Sequence, residues 1–177
     1  VTPTTEPARN PELPQVCVCY LVRRGTDGSA EVLLGRKKKG LGVGKYVAPG
    51  GKLEPGESPR EAMVREVQEE VGLRVAADDL VPLGLLTYLF PTRPAWSQQS
   101  SVYTTTRWTG TPTESDELAP EWFPVGALPL ESMWDDAKRW LPAALAGARV
   151  ERTFTFGADE STVVEPEMNA PKAPVSG

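Results

Sequence analysis

The stretch Gly51-Lys52-Leu53-Glu54-Pro55-Gly56-Glu57-Ser58-Pro59-Arg60-Glu61-Ala62-Met63-Val64-Arg65-Glu66-Val67-Gln68-Glu69-Glu70-Val71-Gly72-Leu73 decides how the chain is read. Its second half starts as a helix starts. Ser58 can cap the first turn, Pro59 suits the first helical position, and Glu61 completes a capping box. Gly72 is a helix stop, because glycine accepts the left-handed conformation at the C-terminal cap. At about 100° per residue, Met63, Val64, Val67 and Val71 form one apolar stripe, and Glu66, Glu69 and Glu70 fill the sector beside it. Glu66 and Glu70 are four residues apart and Glu66 and Glu69 three, spacings at which like charges cost a helix about 0.2–0.5 kcal/mol per pair.

The arrangement asks for a cation. Arg65 can reach Glu61 and Glu69, but the helical neighbours of Glu66 are Ala62, Met63, Glu69 and Glu70. Carboxylates crowded at the border of a core raise one another's pKa unless positive charge sits among them. A bound metal ion would supply it; a solvated acidic face is the plainer alternative. The chain has no histidine. That removes His-based nucleophile systems and His-ligated metals, leaving oxygen-ligated hard ions such as Mg2+ or Mn2+.

Outward from this helix, the 177 residues suit one domain. A 40% hydrophobic content allows a real core, and a net charge of −5 argues against a binder of nucleic-acid polymers. No apolar run is long enough to span a bilayer and no signal-peptide pattern opens the sequence, so no membrane partner is expected. Cys17 and Cys19 would share one face of a strand as buried free thiols, which suits a reducing cytoplasm. Residues 1–14 hold four prolines and no apolar period and read as a disordered arm. Residues 166–177 read as a flexible tail, leaving 15–165 as the folded domain.

Within that domain, Val16–Val22 reads as a central strand and Val32–Leu34 as its return after a Gly-Thr-Asp-Gly-Ser turn. Gly40–Gly51 reads as a glycine-rich loop. Strands follow at Leu80–Phe90, Ser101–Trp108 and Glu121–Val125, then a helix at Trp134–Ala146 disturbed near Pro142. Val150–Phe156 and Thr162–Glu165 form a closing strand pair. The fold class is therefore α/β (α+β), a mixed β-sheet sandwiched between helices.

Gly51, Glu57, Arg65-Glu66, Val67, Glu69-Glu70, Gly72 and Leu73 together resemble the complete Nudix box. Lys37–Tyr46 with Pro49–Lys52, Glu114–Leu118 with Trp122-Phe123, Met133–Asp136 with Trp140 and Pro142, and the closing strands are similar to the MutT-homologue branch, the oxidised purine nucleoside triphosphate hydrolases. The resemblance implies a Nudix fold and hydrolysis of a nucleoside triphosphate, such as 8-oxo-dGTP, to monophosphate and pyrophosphate. It implies Mg2+, with Mn2+ as an alternative, held by Glu66, Glu69 and Glu70, by the carbonyl of Gly50 and by Glu117. Glu69, Glu70 and Glu117 are also candidates for the proton-accepting role, and Glu57 and Arg65 for an orienting ion pair. The resemblance places the base near Trp134 and Asp136, with Trp140 similar in kind.

Lys37, Lys45 and Lys52 are candidate phosphate contacts, or else exposed loop lysines. Gly40, Gly42 and Gly44 could bring N–H groups to phosphates, or else form plain turns. Tyr88 and Phe90 could stack on a base, or else belong to the core. Three positions depart from the branch: Leu41 stands for an aromatic residue, Val47 for a base-reading asparagine, and Ala137 for the second of two carboxyl residues, with Asp135 displaced by one place. A dinucleoside polyphosphate or ADP-ribose hydrolase is the alternative reading, and a nucleotide-binding module without catalysis is another. The expected assembly is a monomer or a homodimer.

Overall fold

The computed structural model describes residues 6–164. Its strands are β1 (Gln15–Arg24), β2 (Ala30–Lys37), β3 (Tyr46–Val47), β4 (Gly50–Lys52), β5 (Val81–Leu89), β6 (Gln98–Thr105), β7 (Leu118–Pro124), β8 (Val150–Phe156) and β9 (Val163–Val164); its α-helices are α1 (Pro59–Val71) and α2 (Ala137–Leu145). They form a mixed sheet in the order β3-β2-β1-β6-β5-β8-β9, with β4 on β1 and β7 on β2. The β1–β6 and β5–β8 pairs are parallel and the others antiparallel.

Period-two alternation on β1 builds two cores. Cys17, Cys19 and Leu21 point to one face, where they meet Met63, Val67 and Val71 of α1; both thiols are free and buried. Val18, Tyr20 and Val22 point to the other, where they pack with Leu86, Phe154 and Trp140, the last from α2. A helix thus covers each face, as expected.

Helix α1 forms where its caps dictate. Ser58 accepts from the Glu61 N–H at 3.2 Å, and Gly72 closes the helix at φ 71°. An N-cap of this kind is worth about 0.5–2 kcal/mol. Val64 is only half-buried, while Ala62 belongs fully to the core stripe.

Two expectations need correction, the loop at 40–51 and the start of the second helix. Residues 40–51 are not all loop: they contain β3 and β4, two strands too short to show a period. Helix α2 starts at Ala137 rather than Trp134, so Trp134, Asp135 and Asp136 form the turn that leads into it. Pro142 lies inside α2, which ends three residues later. The part of the expected arm that the structure describes, 6–14, makes specific contacts: Glu6 accepts from Arg60 Nε at 2.8 Å and from the Tyr103 hydroxyl at 3.1 Å, and the Asn10 N–H donates to Gln99 at 2.7 Å. The expected tail and Glu165, the last residue of the expected closing strand pair, lie outside the described residues.

The edge of β1 is shared. β4 pairs with Val16–Val18, and β2 with Val22–Arg24. One strand edge cannot keep two neighbours flat against it, so the sheet splays there. A cavity of about 470 Å3 opens beside the split.

Candidate active site

Glu66 and Glu70 are 8% and 6% exposed, deep for two carboxyl groups one helical turn apart. Burial is the first cause that drives both pKa values up. For Glu70 the Glu66 and Glu117 charges add to it, while the Gly50 N–H, which donates to Glu70 at 3.1 Å, opposes it.

Position 51 makes this burial possible. A Cβ there would come within 2.5 Å of the Glu66 carboxyl group. Glycine leaves a cradle against the backbone of β4, and the carboxylate fills it.

Arg65 ties the loop to the helix. Its Nε and Nη2 grip Glu57 at 2.7 and 2.8 Å; Nη1 donates to Glu66 at 2.8 Å and to Glu69 at 3.3 Å; Nη2 also reaches the Lys52 carbonyl at 3.0 Å. All five N–H donors of the guanidinium are engaged. The guanidinium, helped by the Glu54 N–H, pushes the Glu57 carboxyl down to about 2. The expected contacts of Arg65 with Glu69 and Glu57 are present. Helical spacing gives Glu66 no cation, but the long side chain bends towards the loop and there also meets its own sequence neighbour, Glu66.

The remaining acids stand apart. Glu69 is 58% exposed and is held by Arg65. Glu117 is 55% exposed and lies 3.9 Å from Lys39. Among the described residues, no three His, Cys, Asp or Glu side chains are gathered closely enough to cage a metal ion. A pair of buried carboxylates nevertheless suits magnesium, which keeps several waters and is usually held by one or two carboxylates plus substrate phosphates.

Glu70 lines the cavity together with Gly50, Lys52 and Lys37, and Tyr88, Phe90, Trp134, Asp136 and Trp140 line the same cavity. Lys45 does not line it, but sits over the Trp134 ring at 5.1 Å. Gly42, at φ 81°, packs so closely against the Trp134 indole that a Cβ would lie 2.9 Å from Nε1. Gly42 therefore shapes the tryptophan's seat, while a Cβ at Gly40 would meet only Lys37 and one at Gly44 would meet open space.

The aromatic candidates divide. Trp134 is half-buried and keeps surface on the cavity. Phe90 is 4% exposed and stacked on Phe156 at 4.6 Å. Trp140 is 4% exposed, with Nε1 donating to Asp136 at 2.8 Å. Tyr88 lies along Phe154 and donates its hydroxyl to Asp136 at 3.0 Å. Tyr88, Phe90 and Trp140 thus build the wall rather than offer free ring faces.

Asp135 faces away, to Lys138 at 2.9 Å and the Val163 N–H at 2.9 Å. Sequence reasoning missed Tyr20, Trp96 and Phe156 as part of this wall; only the alternation within β1 and β8 hinted at two of them. Leu41, Val47 and Ala137, the three departures, all line the cavity.

A family model described as NUDIX domain matches residues 13–144. The chain is 35% identical to the oxidized purine nucleoside triphosphate hydrolase of Mus musculus, over 75% of this chain and 83% of that protein. It is 35% identical to the Danio rerio protein of the same name, over 78% and 86%. A solved MutT protein from Bacillus halodurans superposes with a TM-score of 0.67 at 25% identity, covering 86% of this chain and 95% of that one. The chain therefore belongs to the Nudix family of hydrolases.

Proposed function

We propose that this enzyme hydrolyses nucleoside triphosphates to monophosphate and pyrophosphate with the help of a divalent metal, and that oxidised purine nucleotides such as 8-oxo-dGTP are its substrates. The observation that carries the reading is that one cavity of about 470 Å3 is lined both by Trp134 and the buried carboxyl of Asp136 and by Glu70, Gly50 and Lys52. That volume falls in the range of about 300–1,000 Å3 usual for small-molecule sites. The names of the two 35% identical relatives point the same way.

Glu66 and Glu70 would hold the ion, with Gly50, Glu69 and Glu117 at its border. When bound, magnesium or manganese supplies charge neutralisation at the phosphates and acidity for the attacking water. Arg65 keeps the Glu66 carboxylate in its cradle and fastens Glu57 to the same guanidinium. Lys37 and Lys52 meet phosphate oxygens; Trp134 stacks on the base and Asp136 holds its edge. The setting is a cytoplasmic nucleotide pool, and among the described residues no helix is long and apolar enough to cross a membrane.

The position of Leu41, Val47 and Ala137 on the cavity favours one variation, an enzyme of the same chemistry with altered base preference, since a site that loses polar readers discriminates less. Steady-state kinetics with magnesium on 8-oxo-dGTP, dGTP, dATP, a dinucleoside polyphosphate and ADP-ribose, with phosphate and pyrophosphate detected separately, decide between them. The proposal expects pyrophosphate release, fastest on the oxidised nucleotide, and none in a chelator. Equal or better kcat/KM on an unoxidised nucleotide overturns the oxidised-base assignment.

A further inference from the structure

Asp136 is 3% exposed, and both donors that hold it converge on one oxygen. The Tyr88 hydroxyl donates to Oδ2 at 3.0 Å and Trp140 Nε1–H donates to the same atom at 2.8 Å. They come from opposite sides of the site, Tyr88 from β5 and Trp140 from one turn further along α2. Neither donor is free to wander. Tyr88 lies along the Phe154 ring at 6.3 Å with 23° between planes, and Trp140 meets Tyr20 edge-on at 5.8 Å. Of the described residues lining the cavity, Asp136 and Glu70 are the two that carry a carboxyl group. Ala137 brings none and Asp135 is turned outward.

We propose that Tyr88 is a positioning residue that, together with Trp140, holds Asp136 as a fixed acceptor, so that its Oδ1 selects a base edge carrying adjacent N–H donors. The proposal rests on the reading that the base lies between Trp134 and Asp136. Burial pushes the Asp136 carboxyl above its ordinary value, and donation from Trp140 and Tyr88 opposes that push and fixes the rotamer. Two donors on Oδ2 leave Oδ1 to meet the ligand. A guanine-type edge offers N1–H and the 2-amino group side by side, and both can fork onto one oxygen. An adenine-type edge sets the N1 lone pair beside its single amino donor, and that lone pair meets the carboxylate unfavourably. Sequence alone suggested Tyr88 as a stacking ring; the hydroxyl is the part that acts.

The test measures binding of the two product-like ligands 8-oxo-dGMP and dAMP to the full chain by calorimetry, in a chelator so that no turnover intervenes. Wild type, Tyr88→Phe and Asp136→Asn are compared. Tyr88→Phe is expected to lower the preference for 8-oxo-dGMP over dAMP about tenfold, the size set by loss of one hydrogen bond to a charged group. Asp136→Asn should abolish the preference. Equal weakening of both ligands in Tyr88→Phe means the residue only packs, and overturns the proposal. So does an unchanged preference in Tyr88→Phe when Asp136→Asn loses it; the base pocket then stands without Tyr88. If Asp136→Asn keeps the preference, the base is not read at Asp136, and the pocket assignment falls together with this inference. Should Tyr88→Phe fail to fold, Trp140→Phe removes the second donor and carries the same expectation.

Discussion

Replacing Gly51 with alanine separates the position of a carboxylate from the stability of the fold. The backbone at Gly51 does not lie in the left-handed region, so it accepts alanine without strain. The obstacle is the Glu66 carboxyl: the new Cβ would sit 2.5 Å from it, and ordinary contact begins at 3.4 Å, so the group must retreat by about 0.9 Å. The retreating atoms are the end of a flexible side chain, which makes the adjustment cheap. Weakening one Arg65 bond costs about 0.5–1.5 kcal/mol, and the reduced freedom of the unfolded chain returns about 0.4–1 kcal/mol. Stability should stay within about 1 kcal/mol of wild type and Tm within about 4 °C.

Activity should not be spared. A displacement near 1 Å at a group that positions reacting atoms costs about 100-fold, equivalent to about 2.7 kcal/mol in the barrier. The assays are pyrophosphate release at saturating magnesium and thermal unfolding on the same preparation. Gly51→Ala activity within threefold of wild type would refute the cradle argument. So would a large activity loss accompanied by a Tm fall beyond about 10 °C, since packing would then explain both.

Two further outcomes follow from particular contacts. Arg65→Lys keeps the charge but replaces five N–H donors in a planar fork by three on a point cation; it should lose about 2 kcal/mol of stability in denaturant unfolding and most of the turnover, and a wild-type unfolding midpoint would contradict the five-bond assignment. Asp159 accepts from the Ser161 and Thr162 N–H groups in the β8–β9 turn, and the Thr162 side chain first, with these two N–H groups, holds its carboxyl down to about 2 against an ordinary 3.8. A depressed folded pKa contributes stability that is present above the ordinary value and lost as pH falls towards the folded one. Asp159→Asn should therefore flatten the acid limb of stability between about pH 3.8 and 2, measured by Tm against pH, while an unchanged slope in that window would refute the turn assignment.

Much of the site was legible because it lies close together in sequence. Ser58, Pro59 and Gly72 mark the ends of α1 by local backbone chemistry, and a period of 3.6 places Glu66 and Glu70 on one side of it whatever surrounds the helix. The alternation of β1 likewise sent Cys17 and Cys19 to one face. Tyr46–Val47 and Gly50–Lys52 were not legible as strands, because two or three residues carry no period and pair only when β2 and β1 are in place. The Glu57–Arg65 pair was legible from the resemblance, but the Arg65–Glu66 contact was not: helix geometry ranks partners by spacing, whereas this guanidinium turns towards the loop and takes up its own sequence neighbour there.

The sequence by itself determined the helix, its caps and its paired carboxylates, since these depend on spacings of a few residues, and the resemblance of the whole box gave the family. The tertiary structure decided what those groups become. It buried Glu66 in the space that Gly51 leaves, set Glu69 and Glu117 outside, turned Asp135 away and brought Asp136 into the cavity. It also converted Tyr88 from a candidate stacking ring into a hydrogen-bond donor 48 residues from its acceptor. Contacts across that distance depend on how strands and helices pack, and no local period records them.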